Sequence, residues 1–457
     1  MASRASDRGG ARTVRGRIFA EGRLRDATLR MEDGRIADVG GPSRKADVDF
    51  GSRLILPGFV DTHVHFRDPG HPAKEDFTSG STSAAFGGVT TVLDMPNTDP
   101  PVTTREAWQQ KLGRARMRSV VDFGLFAGLA AREEDVANGI GLLDDAVALK
   151  VYLGSSTGDL IVEDASLVRR AIAAAASRGR TVAFHAESEA CLRRHATPPE
   201  GVRGFAAHYW QRPNACEREA IEGIAAMPRP AGARLHVCHV STAEGLAALP
   251  PGATAEVAPH HVLLTKDDLE RGGRLKMNPP LRPRADRDAL LAALAAGRVH
   301  AASDHAPHTA EEKELDLDRC PAGVPGVETM APLLLALAVD GKLPLARVAD
   351  ALTRMPAEAF GLRDKGALVP GSDADLVVVD LARVEPIRAG RLHSRVGWTP
   401  FEGLRAIFPD EVWLRGEPIV QDGALVAAPG RGRMVSTRAN AGALPGRGRA
   451  RATANER

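Results

Sequence analysis

Cysteine is scarce in this chain. Only four occur in 457 residues, Cys191, Cys216, Cys238 and Cys320, and they are scattered without paired spacing. That speaks against a disulfide framework and fits a reducing cytoplasm. Aromatic residues make up 4% of the sequence, too few for base-stacking platforms. The formal net charge is only +2, so no broad basic surface calls for nucleic acid. No uninterrupted apolar run reaches the ~18 residues of a membrane span. The N-terminal MASRASDRGG has no hydrophobic signal core. What remains is a chain with 43% hydrophobic residues, enough for a full core, and a length that suits a barrel plus a smaller unit.

The pattern along the chain divides it further. Residues 1–11 read as a disordered leader. Residues 12–53 hold short strand-like pieces separated by turn signals, such as TVRGRIFA and ATLRMEDGRIADVG. A similar texture returns at 363–430, in ADLVVVDLARV and EVWLRGEPI. Two β-rich flanks predict one small β-sandwich domain built from both chain ends. Between them, over 54–362, eight apolar strand candidates fall at 54–63, 88–96, 120–129, 146–153, 181–187, 234–241, 253–264 and 299–305. Helical segments separate most of them, for example 104–118, 165–178, 216–227 and 286–296. Eight βα units in succession predict an α/β fold, a (β/α)8 TIM-like barrel. The tail, 431–457, carries seven Arg and one Glu among many Gly and Ala, and reads as basic and disordered.

The most informative stretch is DTHVHFRD at 61–68. It follows the apolar run LILPGFV, which reads as a buried parallel strand. Side chains two apart on a strand share a face, so His63 and His65 project together past its end. Two imidazoles on one side of a rigid element are half of a metal site. Arg67 is next in the same alternation and is placed to hold an anionic substrate. Further polar residues fall at the C-terminal ends of later strands: Lys150 in ALKVYL, His185 in TVAFHAE, His239 in RLHVCHVS and Asp304 in VHAASDHAPH. Barrel enzymes carry their catalytic groups at this end. Taken singly, a strand histidine is more often a packed core residue, and a strand-end aspartate is often a helix N-cap. Six such residues at one end of different strands are not explained that way.

Lys150 needs its own account. A protonated lysine repels a cation. A neutral amine in an apolar strand can react with carbon dioxide to give a carbamate, an anionic two-oxygen group able to bridge two divalent metals. The alternative is an unmodified lysine paired with Asp304.

These pieces, with PGFVDTHVHFRDPGHPAKEDF (57–77), GGVTTVLDMPNTDPP (87–101), LKVYLGSSTGD (149–159), HVCHVST (236–242), KMNPPLR (276–282), SDHAPHT (303–309) and GVPGVETM (323–330), resemble the amidohydrolase superfamily and, within it, the long-chain dihydroorotases. The resemblance implies that His63, His65 and Asp304 bind one Zn2+, that His185 and His239 bind a second, and that carboxylated Lys150 and a hydroxide bridge them. Asp304 would be the catalytic acid/base. His236, out of phase with His239, would face elsewhere. Arg67, Asn97 and His308 would hold a substrate carboxylate, Asn278 the pyrimidine ring, and the main chain of Pro325 and Gly326 would add hydrogen bonds. The implied reaction is the reversible interconversion of dihydroorotate and N-carbamoyl-L-aspartate, in a homodimer or higher homo-oligomer and with a possible aspartate carbamoyltransferase partner. Two other readings stand beside it. One is an allantoinase or dihydropyrimidinase/hydantoinase, whose neutral ureides leave a carboxylate clamp without purpose. The other is a non-catalytic scaffold, which is at odds with six intact ligand positions.

Overall fold

The computed structural model describes residues 11–437, except 44, 132 and 157–159. The expected leader before residue 11 and the tail beyond 437 lie outside the described residues. The chain opens with β1 (Arg12–Ala20), β2 (Arg23–Glu32), β3 (Arg35–Gly40) and β4 (Val48–Pro57). The connections from β1 to β2 and from β2 to β3 are two-residue turns, Glu21-Gly22 and Asp33-Gly34. All four residues have positive φ, from 51° to 77°. Such turns match the twist of the strands they join, and glycine adopts the second position without strain.

The next eight strands are β5 (Phe59–Val64), β6 (Val89–Asp94), β7 (Asp122–Gly128), β8 (Ala148–Tyr152), β9 (Thr181–His185), β10 (Arg234–Val237), β11 (Thr254–Val257) and β12 (His300–Ala301). They pair in chain order, each parallel to the next. The circle closes where Val64 bridges His305 in parallel and the His65 N–H donates to the His305 carbonyl at 2.8 Å. The barrel strands are buried almost throughout, as expected of continuous apolar runs covered by helices. The helices start where capping residues stand: Thr104 accepts from the Ala107 N–H, and Asp164 from the Ser166 N–H.

The small domain is completed by β13 (Leu376–Val379), β14 (Glu411–Leu414), β15 (Glu417–Gln421) and β16 (Ala424–Leu425). One eight-stranded sheet results, in the order β16-β15-β14-β13-β4-β1-β2-β3. Its far edge returns on itself, because the Ile36 N–H donates to the Ser372 carbonyl at 2.8 Å. The sheet thereby encloses its own core around Val14, Ile18, Leu29, Ile55, Leu376 and Trp413. The two ends of the chain do build one β domain around a barrel.

Four expectations require correction. The run at 54–63 is two strands: Leu54–Pro57 belongs to the small sheet, and the barrel begins at Phe59. Gly58 marks the join, lying so close to Thr90 and Asp375 that no side chain fits. The run at 253–264 is a strand of four residues followed by a helix, Pro259–Leu263. The tail does not begin at 431. Phe123 of β7 donates to the Arg433 carbonyl at 2.9 Å and accepts from the Val435 N–H at 2.8 Å, so 431–437 pack against the barrel. Finally, Cys191 and Cys216 form a disulfide that joins the helix Glu189–Arg194 to the helix Asn214–Ala226. A separation of 25 residues hid the pairing, and the cysteine count therefore gives no support to a reducing compartment. Among the described residues, no helix is long and apolar enough to cross a membrane.

Barrel and sheet are fastened by a buried charge cluster. Lys365 Nζ lies 2.6 Å from Asp122, 2.9 Å from Asp373 and 2.7 Å from Asp375, and Arg415 also pairs with Asp122. Burial opposes the charge on Lys365, but the three aspartates outweigh it and raise the ammonium above the ordinary lysine range. Lys365 therefore contributes stability below that range, lost only as pH rises through its elevated value. Replacing Lys365 with Met removes the cation that three carboxylates share, leaves Asp375 without a described one, and is expected to cost about 3–5 kcal/mol at pH 7. Urea unfolding should show the deficit shrinking on acidification, as these carboxylates take up protons. An unchanged midpoint at pH 7 would refute this role.

Candidate metal centre

The C-terminal ends of the barrel strands converge on a narrow cavity. It is lined by nine residues singled out from the sequence: His63, His65, Arg67, Asn97, Lys150, His185, His239, Asn278 and Asp304. Arg67, His239 and Asp304 have φ of 60°, 33° and 47°. Non-glycine residues pay of order 1 kcal/mol or more for this left-handed backbone, and they cluster where function fixes a side chain's aim. His236 points away, as its phase implies: its Nδ1 lies 2.9 Å from Thr254 and its Nε2 3.0 Å from Glu256.

Hydrogen bonding fixes which imidazole nitrogen faces inward. His63 Nδ1 lies 2.5 Å from Glu256 Oε1, and His65 Nδ1 2.7 Å from Asn97 Oδ1. These oxygens only accept, so both Nδ1 atoms carry the proton and both Nε2 atoms present lone pairs. The two Nε2 atoms face each other at 3.2 Å, and each stands 3.4 Å from Asp304 Oδ1. The second pair is built the other way round. His185 Nε2 donates to Glu187 Oε2 at 3.0 Å, leaving its Nδ1 3.0 Å from His239 Nε2. The opposed lone pairs of His63 and His65 need a cation between them, and imidazole with carboxylate is a donor set suited to zinc. Burial first, then Lys150, pulls His63 down to about 4, and burial likewise lowers His65, His185 and His239. The rings are neutral, as ligation requires.

Lys150 is fully buried on β8. It makes no salt bridge with Asp304 or any other described carboxylate; its Nζ lies 3.0 Å from Cys238 Sγ. Burial pushes that thiol up to about 12, so it stays protonated and gives the amine no counter-charge. A buried amine without a carboxylate partner, inside a cluster of metal-type donors, fits conversion to an anionic group. Burial also raises the Asp304 carboxyl, which suits a group that accepts and returns a proton.

Arg67 lies beside this cluster, 4% exposed, and makes no salt bridge with any described residue. Its Nε donates to the Pro307 carbonyl at 3.3 Å, and its Nη2 lies 3.1 Å from His308 Nε2. Burial lowers the guanidinium to about 10, still charged at neutral pH. Burial, Arg67, Lys74 and Lys313 together push His308 far below the ordinary range, so its ring is neutral. Two expected contacts lie elsewhere. Pro325 and Gly326 line a separate small void, and the Gly326 N–H donates to His305 Nδ1 at 3.1 Å. Ala322 and Gly323 line the cavity in their place.

The residues that orient the rings were missed in the sequence. Glu256 bonds both His63 and His236, and Glu187 is held by Arg212 at 2.5 Å. Glu187 had a signal, two residues after His185 on the same face. Glu256 had a weaker one, an acid inside the apolar strand TAEV. Tyr152 was also missed; its buried hydroxyl lines the cavity without a hydrogen-bond partner among the described residues.

Comparison with known proteins agrees with this geometry. The amidohydrolase family profile matches residues 54–417. Among curated relatives, the dihydroorotase of Halobacterium salinarum is 42% identical over 91% of this chain and 98% of its own. That of Methanosarcina acetivorans is 39% identical over 92% and 94%. Among solved structures, the L-hydantoinase (dihydropyrimidinase) of Arthrobacter aurescens superposes with a TM-score of 0.86 at 29% identity, covering 93% of this chain and 99% of that one. A barrel closed in chain order, a sheet built from both ends and a histidine-rich centre at the strand ends thus coincide with a match over most of the sequence: the chain is a hydrolase of the amidohydrolase family.

Proposed function

We propose that the chain is a dihydroorotase. It opens the ring of dihydroorotate to N-carbamoyl-L-aspartate, and closes it again, as a step of pyrimidine synthesis. His63, His65 and Asp304 would hold one zinc, His185 and His239 a second, and carboxylated Lys150 would link them. When bound, the ions supply Lewis acidity that acidifies water and polarises an amide carbonyl. Asp304 takes a proton from the attacking water and returns it to the ring nitrogen as the C–N bond breaks; the water oxygen stays on the carbonyl carbon. In closure Asp304 removes the proton from that nitrogen. Tyr152, kept protonated because burial raises its hydroxyl, offers a neutral donor to the same cavity.

The observation that carries the substrate assignment is Arg67. A buried guanidinium that forms no salt bridge with a described residue is costly to maintain. A substrate carboxylate beside the reacting amide supplies the missing partner, and a guanidinium grips it with two parallel hydrogen bonds. Dihydroorotate carries such a carboxylate. Dihydrouracil and hydantoin do not, yet the solved L-hydantoinase structure named above favours the hydantoinase reading on overall shape. The test is loss of dihydroorotate absorbance with zinc-loaded protein, beside dihydrouracil, hydantoin and allantoin. Turnover of dihydroorotate alone is expected. Turnover of a neutral ureide instead would keep the barrel and overturn the role of Arg67.

A further inference from the structure

His308 is held from three sides, and two of its partners belong to neither the metal centre nor the set of substrate contacts. Lys74 Nζ lies 3.1 Å from His308 Nδ1. An ammonium can only donate, so Nδ1 accepts and the ring proton resides on Nε2. That proton points toward the Ala322 carbonyl, 3.0 Å away, and toward Arg67 Nη2, 3.1 Å away. The carbonyl satisfies the ring N–H, whereas the Arg67 N–H aimed at the same nitrogen meets a donor and finds no acceptor there. An incoming carboxylate oxygen is the acceptor both can share.

The backbone of His308 is fixed separately. The segment 387–404 leaves the small domain and is tied to residues that follow the first and last barrel strands. The Ser394 hydroxyl donates to Glu75 at 2.7 Å, the His393 N–H to Glu328 at 2.8 Å, and Arg395 pairs with Asp76 at 2.6 Å. Between these anchors and Phe401, Trp398 is buried in a core with Leu264, Leu275, Met277 and Val324. Its indole N–H donates to the His308 carbonyl at 2.8 Å. The small domain thereby reaches the cavity without lining it.

We propose that Lys74 and Trp398 are positioning residues of the carboxylate clamp, Lys74 by fixing His308 as the Nε2–H tautomer and Trp398 by fixing its main chain. The inference rests on the dihydroorotase reading and refines it. Lys74, Trp398 and His308 all lie behind the lining of the cavity, and His308 meets that lining at Arg67 and Ala322, so Lys74 and Trp398 act through His308.

The test uses the zinc-loaded full chain with dihydroorotate and the variants Trp398→Phe and Lys74→Met. Each removes a donor and keeps the bulk of the side chain. The expected result is a KM for dihydroorotate raised about tenfold in each, with kcat within about twofold of the parent and metal content unchanged. One lost hydrogen bond to the clamp accounts for that size. Combined with His308→Ala, neither variant should raise KM further, because the group they position is gone. A merely structural role predicts additive losses, a lower kcat or lost metal, and any of these overturns the inference. If Trp398→Phe fails to fold, as judged by its thermal midpoint, Lys74→Met with His308→Ala decides alone. Absence of dihydroorotate turnover in the parent chain would reject the substrate reading itself. Parent turnover with variants of unchanged KM would reject only this refinement.

Discussion

Replacing Lys150 with alanine is expected to lower bound metal from two ions to one or fewer per chain and to reduce kcat by about 10^3-fold or more. The lysine is buried, makes no salt bridge with a described carboxylate, and lines the cavity between the two histidine pairs. Deleting the side chain removes both oxygens that a carbamate would contribute, and four imidazoles with one carboxylate are left to hold two cations. Loss of shared Lewis acidity is a loss of transition-state stabilisation of several kcal/mol, hence the size of the effect. Elemental analysis after gel filtration, alongside initial rates, measures both quantities. The carbamate makes a second demand: apoprotein of the parent sequence should take up metal faster and more completely in bicarbonate than in CO2-free buffer. Two tightly held metals in Lys150→Ala would remove this residue from the ligand set.

The second large effect belongs to Arg67. Exchange for methionine should reduce kcat/KM for dihydroorotate by roughly 10^2- to 10^3-fold. Truncating one member of a buried charged pair costs about 2–5 kcal/mol, and each 1.4 kcal/mol is tenfold. Metal content should not change, because Arg67 bonds the Pro307 carbonyl and lies beside His308 rather than beside any of the proposed metal ligands. Stability should move in the opposite direction from activity. In the absence of substrate the guanidinium is a buried cation without a salt-bridge partner among the described residues, and an apolar side chain of similar length relieves that cost. A thermal midpoint equal to or above the parent's, together with collapsed turnover, is the expected signature. Normal turnover of dihydroorotate by the methionine variant would end the carboxylate-clamp assignment.

Much of the architecture was legible because period and position suffice for it. Continuous apolar runs alternating with helical segments gave the eight barrel strands, and the two-residue phase of His63 and His65 placed both rings at one cavity. The same phase argument separated His239 from His236. What was hidden depends on contacts that no local pattern encodes. The join between Pro57 and Phe59 leaves the apolar run unbroken, so two strands in different sheets read as one. Glu256 reaches His63 across 193 positions, and the Cys191–Cys216 bond spans two helices whose packing only the fold determines. Met434 sits in a composition typical of disorder, yet it pairs with Phe123 because that strand has an open hydrogen-bonding position. Pro325 and Gly326 were placed at the cavity by motif, but the chain turns so that Ala322 and Gly323 face it.

The order of strands in the small sheet has a consequence for synthesis. β4 lies between β1 and β13, and β13 is made more than 300 residues after it. While the whole barrel is being translated, β4 presents an unpaired edge beside its first barrel strand. An open edge of this kind is a template for pairing with another chain. A nascent chain arrested or truncated before residue 376 therefore carries a sticky half-sheet at its start, however well its barrel has closed. The final strands, far from the chemistry, act as the seal that makes the finished polypeptide safe to release.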